Sequence, residues 1–481
     1  MARKNVRVVF PCYSAVEKRR APGGRAQAIS YLVVIRSPAA ATFASVVLLI
    51  ANVSLADVPD MSGGGNIGKY QSADMQDACI TTLRATGASR TRLNIYPNDY
   101  YDTRSATAKP TAVDAVMDRL YRGHVTPMIL FEFRNDYVSP PRDYQTWHNI
   151  GRSFADRWRP NSDYLRSQKI SHWGVSVYSA INEPDGGKEP RMDTNDYHNM
   201  LEGLADGVHS VDASLKVIPG GFCSENSANS HTLRGFGTAI APLLNSGKLD
   251  GIDLHTYNDV LYAPIVKSNG TTTFIHSPQS DFDSVKAACG ITRDIGFYTT
   301  EYGFKANTQD IDDNLAAKRL LTCIWANAGV VKTDGRTPAT KFALTWNLYN
   351  TISKDSTYGM CTQLAPWEPT PKGKTFQMVM RLTRGLEFEY LDPKGTGEFI
   401  LAGKGKKMWV WQNYPHWSSI SGTSYIIKGI PTRAVRLEIY DWDSWTKPKR
   451  TLALSGRSSC LVSGLNAQET YMFLVSFPLG R

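Results

Sequence analysis

From Gln71 onward, short apolar runs alternate with longer stretches of helical spacing, and this alternation constrains the fold more than any other feature. Seven runs have strand composition: Ser89–Ile95, Val125–Phe131, Gly174–Ile181, Leu215–Pro219, Ile252–Tyr257, Phe297–Thr300 and Phe342–Trp346. They recur about every 35 to 52 residues, which leaves room for one strand, one helix and two loops. Short bursts rich in Val, Ile, Phe and Tyr are typical of parallel strands that are buried on both faces.

Closing such a series into a ring requires an eighth strand. Met61–Ile67 is the best candidate, although its run of three glycines is poor strand material. Continuous alternation also fits a doubly wound sheet, but seven or eight units over about 320 residues favour an α/β fold of the (β/α)8 TIM barrel class. The expected barrel covers residues 57–385. Near Leu386 the pattern changes to strands separated by turn residues, which predicts a small C-terminal β-sandwich domain over residues 386–481.

The net charge of +10 is concentrated at the start of the chain. Residues 1–56 hold eight basic side chains and one acidic side chain, whereas the other 425 residues hold 46 basic and 43 acidic ones. A net charge of +3 on that remainder lacks the basic surface that nucleic acid binding demands, so we expect no nucleic acid partner.

Residues 1–56 also have the form of an export signal. The basic residues precede the uncharged run Ala39–Ala56, and Ser54 with Ala56 forms the small-x-small pattern of a cleavage site. We therefore expect a secreted, periplasmic or cell-surface protein. Two alternatives stay open: a retained N-terminal membrane anchor, and a buried first strand over Val46–Val53.

Six cysteines remain beyond that segment: Cys79, Cys223, Cys289, Cys323, Cys361 and Cys460. An exported protein permits disulfides, and we suggest Cys289 with Cys323, but six cysteines allow 15 pairings and the sequence does not select one. The chain has no CxxC pair, and its nine histidines show no HExxH spacing. We therefore expect neither a metal nor another cofactor.

The candidate functional residues follow from one rule, because active sites of such barrels are built at the carboxyl ends of the strands. The polar and aromatic residues at those ends are Arg92, Asn94, Asn182, Glu183, His255, Tyr257, Glu301 and Trp346. Two carboxylates, Glu183 and Glu301, thus face one mouth. Cleavage of a glycosidic bond with retention of configuration needs such a pair, about 5 to 5.5 Å apart.

The motifs around these residues carry a family resemblance. The sequences INEPD with Glu183, DLHTYN with His255 and Tyr257, and TTEYGF with Glu301 stand in order along the chain. Together with Arg92 and Trp346, they resemble the clan A glycoside hydrolases of the 4/7 superfamily over residues 60–385. A barrel followed by a β-domain is most similar to family 39 and its relatives, and the resemblance implies that Glu183 is the acid/base and Glu301 the nucleophile.

One departure concerns the related family 5 enzymes, which share the HxY pattern after strand six. That family usually has a histidine after strand three, whereas FEFRNDY offers Glu132, Arg134 and Asn135 here. This difference argues against a plain cellulase or mannanase.

The chemistry of each side chain suggests its role. Glu183 must be protonated to donate to the leaving oxygen, so we expect a raised pKa. Arg92 and Tyr257 would hold Glu301 ionised, and Asn182 would bind the sugar 2-hydroxyl. The remaining predictions are that His255 binds Tyr257 or a substrate hydroxyl, and that Trp346 stacks under the sugar ring.

The sequence therefore predicts a retaining glycoside hydrolase whose partner is a β-linked polysaccharide or oligosaccharide. A barrel that binds carbohydrate without cleaving it, and a transglycosylase with the same site, are the alternatives. Further aromatic residues extend a sugar groove or serve as packing: Trp147, Tyr302, Phe304, Tyr349 and Trp367. The C-terminal domain binds glycan through its tryptophans or supports the barrel.

Overall fold

A computed structural model describes a unit of the protein within Ala56–Arg481. The described residues are 56–57, 60–132, 141–185, 193–223, 233, 236–257, 265–266, 272–273, 277–304, 306, 312–349, 358–363, 367–392, 397–403, 405–413 and 423–478. The expected export signal lies outside them except for Ala56, as do Arg134 and Asn135. None of the helices in the described part of the chain is long and apolar enough to cross a membrane.

The strands of the described residues are β1 (Ala56–Asp57), β2 (Asp60–Gly68), β3 (Arg90–Ile95), β4 (Tyr101–Asp102), β5 (Thr107–Ala108), β6 (Thr126–Phe131), β7 (Val177–Ala180), β8 (Lys216–Pro219), β9 (Phe222–Cys223), β10 (Gly251–Tyr257), β11 (Ile265–Val266), β12 (Thr272–Thr273), β13 (Gly296–Gly303), β14 (Thr340–Thr345), β15 (Cys361–Gln363), β16 (Glu368–Pro369), β17 (Leu386–Asp392), β18 (Glu398–Gly403), β19 (Lys406–Asn413), β20 (Ser424–Lys428), β21 (Arg436–Tyr440), β22 (Arg450–Ala453), β23 (Ser459–Ser463) and β24 (Glu469–Ser476).

The helices of the described residues are α1 (Ala73–Thr86), α2 (Pro97–Tyr100), α3 (Asp114–Arg122), α4 (Tyr144–Trp158), α5 (Asp163–Ser167), α6 (Thr194–His209), α7 (Phe236–Ser246), α8 (Pro278–Ala288), α9 (Asp313–Ala328) and α10 (Pro371–Thr383). A 3-10 turn over Pro110–Val113 precedes α3. Polar side chains cap several of these helices. Ser72, Asp143 and Asp312, for example, accept a backbone N–H of the first turn of α1, α4 and α9.

A parallel sheet forms the centre of the unit, in the strand order β8-β7-β6-β3-β2-β14-β13-β10-β9. Every neighbouring pair in this order is parallel. The two outermost strands, β8 and β9, follow one another in the chain and are separated by Gly220 and Gly221 alone. The eight predicted strand positions are confirmed, including the glycine-rich β2, which is held by pairing with β3 on one side and β14 on the other.

A second, antiparallel sheet has the order β1-β17-β18-β19-β24-β21-β22. Its outermost strand is β1, in which Ala56 pairs with Phe388 and Asp57 with Glu387. The sheet that the sequence assigned to residues 386–481 thus takes one strand from the opposite end of the described chain. A two-residue strand has too little pattern to be recognised in a sequence.

Both faces of this sheet are covered. On one face Phe399 stacks on Trp325 of α9, with ring centroids 6.2 Å apart. On the other face the antiparallel strand pair β20 with β23 places Tyr425 against Trp411 and Phe473, with ring centroids 4.8 and 5.2 Å apart. The contact of Phe399 with Trp325 joins the antiparallel sheet to α9.

The tryptophans of this region serve packing. Trp409 and Trp411 are fully buried. Trp445 donates its indole N–H to Thr375 of α10 at 3.1 Å, and Thr375 donates to the Trp442 carbonyl at 2.7 Å. These contacts agree with the supporting alternative for the C-terminal region. Trp417 lies outside the described residues.

All six cysteines of the described residues carry free thiols. The suggested pairing of Cys289 with Cys323 is therefore wrong. Cys323 lies fully buried within α9, and Cys289 follows the end of α8.

Candidate active site

The predicted site residues lie together at the carboxyl edge of the parallel sheet. Arg92 lies on β3, His255 and Tyr257 on β10, Glu301 on β13, Asn182 and Glu183 just after β7, and Trp346 just after β14. Parallel strands bring their carboxyl ends to one edge, so residues more than 200 positions apart in the chain become neighbours.

Both carboxylate oxygens of Glu301 accept hydrogen bonds. Arg92 forms an ion pair and hydrogen bond with its Oε1 atom, and the Tyr257 hydroxyl donates a hydrogen bond to its Oε2 atom. All three side chains are buried. Burial and the adjacent Glu301 raise the pKa of Tyr257 well above its ordinary value, so the phenol keeps its proton and remains a donor. Both predicted contacts to Glu301 are present.

Arg92 also positions Asn182. Its Nη1 atom donates to Asn182 Oδ1 at 3.1 Å and to Thr300 Oγ1 at 3.0 Å. Since the amide oxygen of Asn182 accepts from the guanidinium, its NH2 group is the part that remains to donate to a substrate hydroxyl. This orientation suits the predicted contact with a sugar 2-hydroxyl.

A buried chain of hydrogen bonds that begins at Asp253 orients the His255 ring. Asp253 accepts both the backbone N–H and the hydroxyl of Thr300, at 2.9 and 2.7 Å. Because the Thr300 hydroxyl donates to Asp253, its oxygen accepts the N–H of His255 Nε2 at 3.1 Å. The other ring nitrogen, Nδ1, is thereby turned toward the two glutamates.

The role expected of His255 is not the one observed. The ring is fully buried, and its Nδ1 atom lies 2.8 Å from Glu183 Oε1 and 3.7 Å from Glu301 Oε2. It meets the Tyr257 ring edge to face at 6.2 Å without a hydrogen bond. The partner of His255 is thus Glu183 itself, which spacing along the chain could not reveal.

This contact determines where the shared proton lies. Burial raises the pKa of Glu183, but the hydrogen bond and charge of His255 outweigh burial and lower that pKa to about 2. Burial lowers the pKa of His255, whereas Glu301, Glu183 and Asp253 together raise it. Both shifts favour His255 over Glu183 as the holder of the shared proton. The direction for Glu183 is opposite to the expected raised pKa, because the sequence offered no sign of a cationic neighbour.

The two glutamates are close. One carboxylate oxygen of Glu183, one of Glu301 and one ring nitrogen of His255 all lie within 4.8 Å of one another. Three such groups could hold a metal ion. A cation at this place would have to compete with Arg92 and Tyr257, which already engage both oxygens of Glu301.

The backbone around Glu183 is strained, and two glycines make room for it. Ile181 and Glu183 have positive φ angles of 65° and 46°. A Cβ atom on Gly220 would lie 1.4 Å from the Ile181 carbonyl oxygen, and one on Gly221 would lie 1.9 Å from His255 Nε2. The Glu183 N–H donates to the Gly221 carbonyl at 2.8 Å. Left-handed conformations in residues other than glycine cluster at functional sites, which agrees with the placement of Glu183 here.

Asp185, the last residue of INEPD, was given no role from the sequence. Its Oδ1 atom accepts the Cys223 N–H at 3.0 Å, while its Oδ2 atom is buried with no partner among the described residues. Burial, with the charge of nearby Glu183, raises the pKa of Asp185 to about 7. A carboxyl group with a perturbed pKa beside Glu183 is a site residue by physical criteria.

Other functional residues that sequence reasoning missed are Asp253 and Thr300. Each lies inside a motif already singled out, two residues before His255 and one before Glu301. The only available signal was that a buried aspartate and a threonine interrupt apolar strands. The neighbouring pair of Asn94 and Glu132, joined by a hydrogen bond of 3.0 Å, adds another polar contact at this edge.

The aromatic residues considered for a sugar groove divide by burial. Trp147, Tyr302 and Phe304 are fully buried in the core, so packing is their role. Trp346, Tyr349 and Trp367 are half-buried. Trp346 is joined to Asn347 by a cis peptide bond. Its stacking under a sugar ring remains a prediction.

No family model matches the sequence, and no curated protein matches it. Solved structures do match in fold. A glucosidase from Croceicoccus marinus has a TM-score of 0.58 at 12% identity, over 88% of this chain and 96% of that one. A GH30 endoxylanase from Clostridium papyrosolvens C71 has a TM-score of 0.54 at 13% identity, over 88% and 98%.

A family 39 glycoside hydrolase from the gut symbiont Bacteroides cellulosilyticus WH2 is also similar, with a TM-score of 0.53 at 15% identity, over 87% of this chain and 82% of that one. At such identities the likeness concerns the fold. The resemblance that the motifs indicated is thus confirmed at this level, and the chain has the fold of glycoside hydrolases.

Proposed function

We propose that this protein is a retaining glycoside hydrolase that cleaves a β-linked polysaccharide or oligosaccharide by double displacement. The observation that carries the proposal is the approach of Glu183 and Glu301 oxygens to within 4.8 Å of one another. Retaining enzymes hold their carboxyl groups about 5 to 5.5 Å apart, whereas inverting enzymes need about 6.5 to 9.5 Å to admit a water molecule.

In the first half of the reaction, Glu301 attacks the anomeric carbon and forms an ester bond to the sugar. The bond from that carbon to the leaving oxygen breaks, and Glu183 delivers a proton to this oxygen. Arg92 and Tyr257 hold and orient Glu301 through their hydrogen bonds, and the Asn182 amide donates to the 2-hydroxyl. The proton that Glu183 delivers comes from its pair with His255, since the pair as a whole holds it before the substrate binds.

In the second half, Glu183 removes a proton from water while the oxygen of that water attacks the anomeric carbon. The ester bond to Glu301 breaks, and its carboxylate returns to Arg92 and Tyr257. The proton taken from water restores the protonated pair of His255 and Glu183, so the site is ready for another turnover.

Three further proposals complete this assignment. The parallel sheet closes into an eight-stranded barrel through residues 216–223, with β8 and β9 as two halves of one strand; the supporting observation is that β8 pairs with β7 while β9 pairs with β10. The antiparallel sheet and the strand pair β20 with β23 form the two layers of the small β-sandwich domain. We also propose that the protein is exported by its basic and apolar leader, which amino-terminal sequencing of the secreted protein tests.

The test of the activity is a pair of substitutions assayed on activated aryl β-glycosides. Glu301→Ala should reduce kcat by at least about a thousandfold, because the covalent step is lost. Glu183→Ala should reduce turnover of natural substrates by about 10² to 10⁴-fold, and azide should restore activity on activated leaving groups that need no proton. Asp294→Asn, at the opposite edge of the sheet, is the matched control and should retain full activity.

Full activity in either glutamate variant would exclude the proposal. Tight glycan binding with no turnover by the wild-type protein would favour a binding protein. Products longer than the substrate, formed in the presence of an acceptor sugar, would favour a transglycosylase. Loss of wild-type activity with a chelator would point to a metal at the cluster of Glu183, His255 and Glu301.

A further inference from the structure

Two tyrosines lie at the carboxyl edge of the parallel sheet outside the site described above. Tyr70 follows β2 and is 63% exposed. Tyr96 follows β3, the neighbouring strand, and is half-buried. The two ring centroids are 5.4 Å apart with an interplanar angle of 50°. Together they form an aromatic surface of which Tyr70 is the more exposed part.

The turn that carries Tyr70 is firmly held. The Gln76 side chain, 5% exposed, lies within hydrogen bond distance of the carbonyls of Gly68, Lys69 and Gln71, at 3.4, 3.4 and 3.1 Å. The Gly68 N–H donates to the Gln71 side chain at 3.1 Å. A Cβ atom on residue 68 would lie 2.1 Å from Tyr70 Cε1, so glycine is what allows the ring to lie over the end of the strand.

The turn that carries Tyr96 is linked to the first one. Tyr96 is the N-cap residue that precedes the short helix α2, and its backbone N–H donates to the Asp99 carboxylate at 3.4 Å. Asp99 also forms an ion pair, at 3.6 Å, with Lys69, the residue that precedes Tyr70 in the chain. A ring that is already held in place loses little freedom when a ligand stacks on it, which favours binding.

The aromatic surface lies close along the chain to a residue that holds one of the glutamates. Tyr96 is four residues beyond Arg92 and directly follows the strand that carries it, so their Cα atoms are at most about 14 Å apart. Arg92 contacts Glu301 directly. The sheet order β3-β2-β14 places the tyrosine strands beside the strand that precedes Trp346 and Tyr349.

We infer that Tyr70 and Tyr96 form a second sugar-binding subsite, which holds a neighbouring unit of the same glycan that the glutamates cleave. Rigid aromatic faces bind the C–H faces of sugar rings, and the hydroxyls of tyrosine can bond to sugar hydroxyls at the rim. The adjacent charges, Lys69 and Asp99, neutralise each other, which suits uncharged sugar units. This inference rests on the proposed function and narrows it to substrates of at least several sugar units.

The test compares substrates of different length. Tyr70→Ala and Tyr96→Ala should raise KM for β-1,4- and β-1,3-linked oligosaccharides of four to six units by roughly 3- to 10-fold each, as expected for the loss of one aromatic contact. The same variants should leave kcat/KM for 4-nitrophenyl β-monosaccharides within about twofold of wild type, because those substrates do not reach the subsite. Tyr70→Phe should retain most of the affinity, since the ring remains.

Tyr390→Ala is the matched control, because Tyr390 is 42% exposed but lies on β17 of the antiparallel sheet. It should change neither measurement. Equal losses on short and long substrates, or no loss on either, would overturn the subsite. Thermal unfolding of each variant identifies a folding defect, and Tyr70→Phe then supplies the comparison.

A second measurement separates this subsite from the activity. Calorimetric titration of the same oligosaccharides into Glu301→Ala, with and without Tyr70→Ala, measures binding without turnover. Weaker binding in the double variant supports the subsite even if the wild-type protein hydrolyses nothing, in which case the proposed function fails alone. Failure of every oligosaccharide to bind Glu301→Ala would overturn the subsite.

Discussion

The two edges of the parallel sheet carry charged residues of different character on the same strands. Strand β3 begins with Arg90, which lies at the amino edge, and carries Arg92 two residues further on, in the candidate site. At the amino edge a cavity of about 410 Å³ is lined by four basic and two acidic side chains: Arg90, Lys216, Lys332, Lys341, Asp250 and Asp294. Charge alone would make this edge the more conspicuous one.

The difference lies in burial and coupling. At the amino edge the ion pairs are partly exposed, with side-chain exposures of 43% and 14% for Lys216 with Asp250, and 24% and 49% for Lys332 with Asp294. At the carboxyl edge Arg92 and Glu301 are 1% and 6% exposed, and both belong to a hydrogen bond network that includes Thr300 and His255. Ion pairs that solvent screens contribute little to the free energy of unfolding. Buried ion pairs within a hydrogen bond network shift the pKa values of their members, which is typical of functional sites.

The largest expected contrast between the two edges is in stability. Arg92→Leu should destabilise the protein by about 3 to 5 kcal/mol, because the Glu301 carboxylate is left buried without its cation. Lys216→Met, at the amino edge, should cost about 0 to 1 kcal/mol, since its pair is partly exposed. Urea unfolding followed by circular dichroism measures both. Equal losses would contradict the distinction, and Arg92→Leu combined with Glu301→Gln should recover part of the loss.

A smaller contrast concerns the pH dependence of stability. The pKa of Asp185 is raised to about 7 in the folded protein, against 3.8 ordinarily, so folding favours the protonated form and stability falls as pH rises between these values. Asp185→Asn should remove this effect and stabilise the protein by about 1 to 3 kcal/mol at pH 8. At pH 4 the gain should vanish.

Melting curves of this variant and the wild type across pH 4 to 8 provide the measurement. Asp294→Asn, whose side chain is half-exposed at the amino edge, is the control and should show no gain in stability at pH 8. A constant difference for Asp185→Asn would show that Asp185 is ionised in the folded state.

The smallest expected effect is on the pH profile of activity. In the wild type the proton that catalysis needs leaves the pair of His255 and Glu183 above the ordinary imidazole value of 6.5, because the pKa of His255 is raised. In His255→Asn the carboxyl of Glu183 must hold it alone, so the alkaline decline of kcat/KM should move to lower pH by about one unit.

The control for this profile is His209→Asn. His209 approaches Asp250 at 3.6 Å near the amino edge, and its loss should leave the profile in place. A profile unchanged in His255→Asn would mean that His255 holds Glu183 in position without sharing its proton.

Much of this site could be predicted because the fold converts position along a strand into position in space. Once the apolar runs were recognised as parallel strands, the residues at their ends had to meet, and all of the predicted residues lie at one edge. The strands themselves were recognisable because residues buried on both faces form continuous apolar runs. Even β2, which has little strand propensity, could be predicted, because a closed ring of strand–helix units needs an eighth strand before the seven that were recognised.

The features that could not be predicted from the sequence depend on contacts between segments that are distant in the chain. The partner of His255 is set by where Asp253 and Thr300 lie across two strands, and the lowered pKa of Glu183 follows from that partner. The left-handed backbone of Glu183 depends on space left by Gly220 and Gly221. Pairing of Ala56–Asp57 with β17 joins residues some 330 positions apart and leaves no local trace.

That pairing bears on how enzymes of this architecture are recombined. The antiparallel sheet cannot be exchanged as an independent unit, because its outermost strand is β1, which precedes β2 in the chain. In addition, Phe399 of this sheet occupies the space next to Gly329 that a side chain at position 329 would fill. Gln412 of the same sheet donates to the Thr322 carbonyl on α9 at 3.1 Å. A chimera that exchanged residues 386–478 alone would remove the residues that pack against the apolar side of α9. A successful exchange must therefore include residues 56–57 and the residues of α9 that contact the sheet.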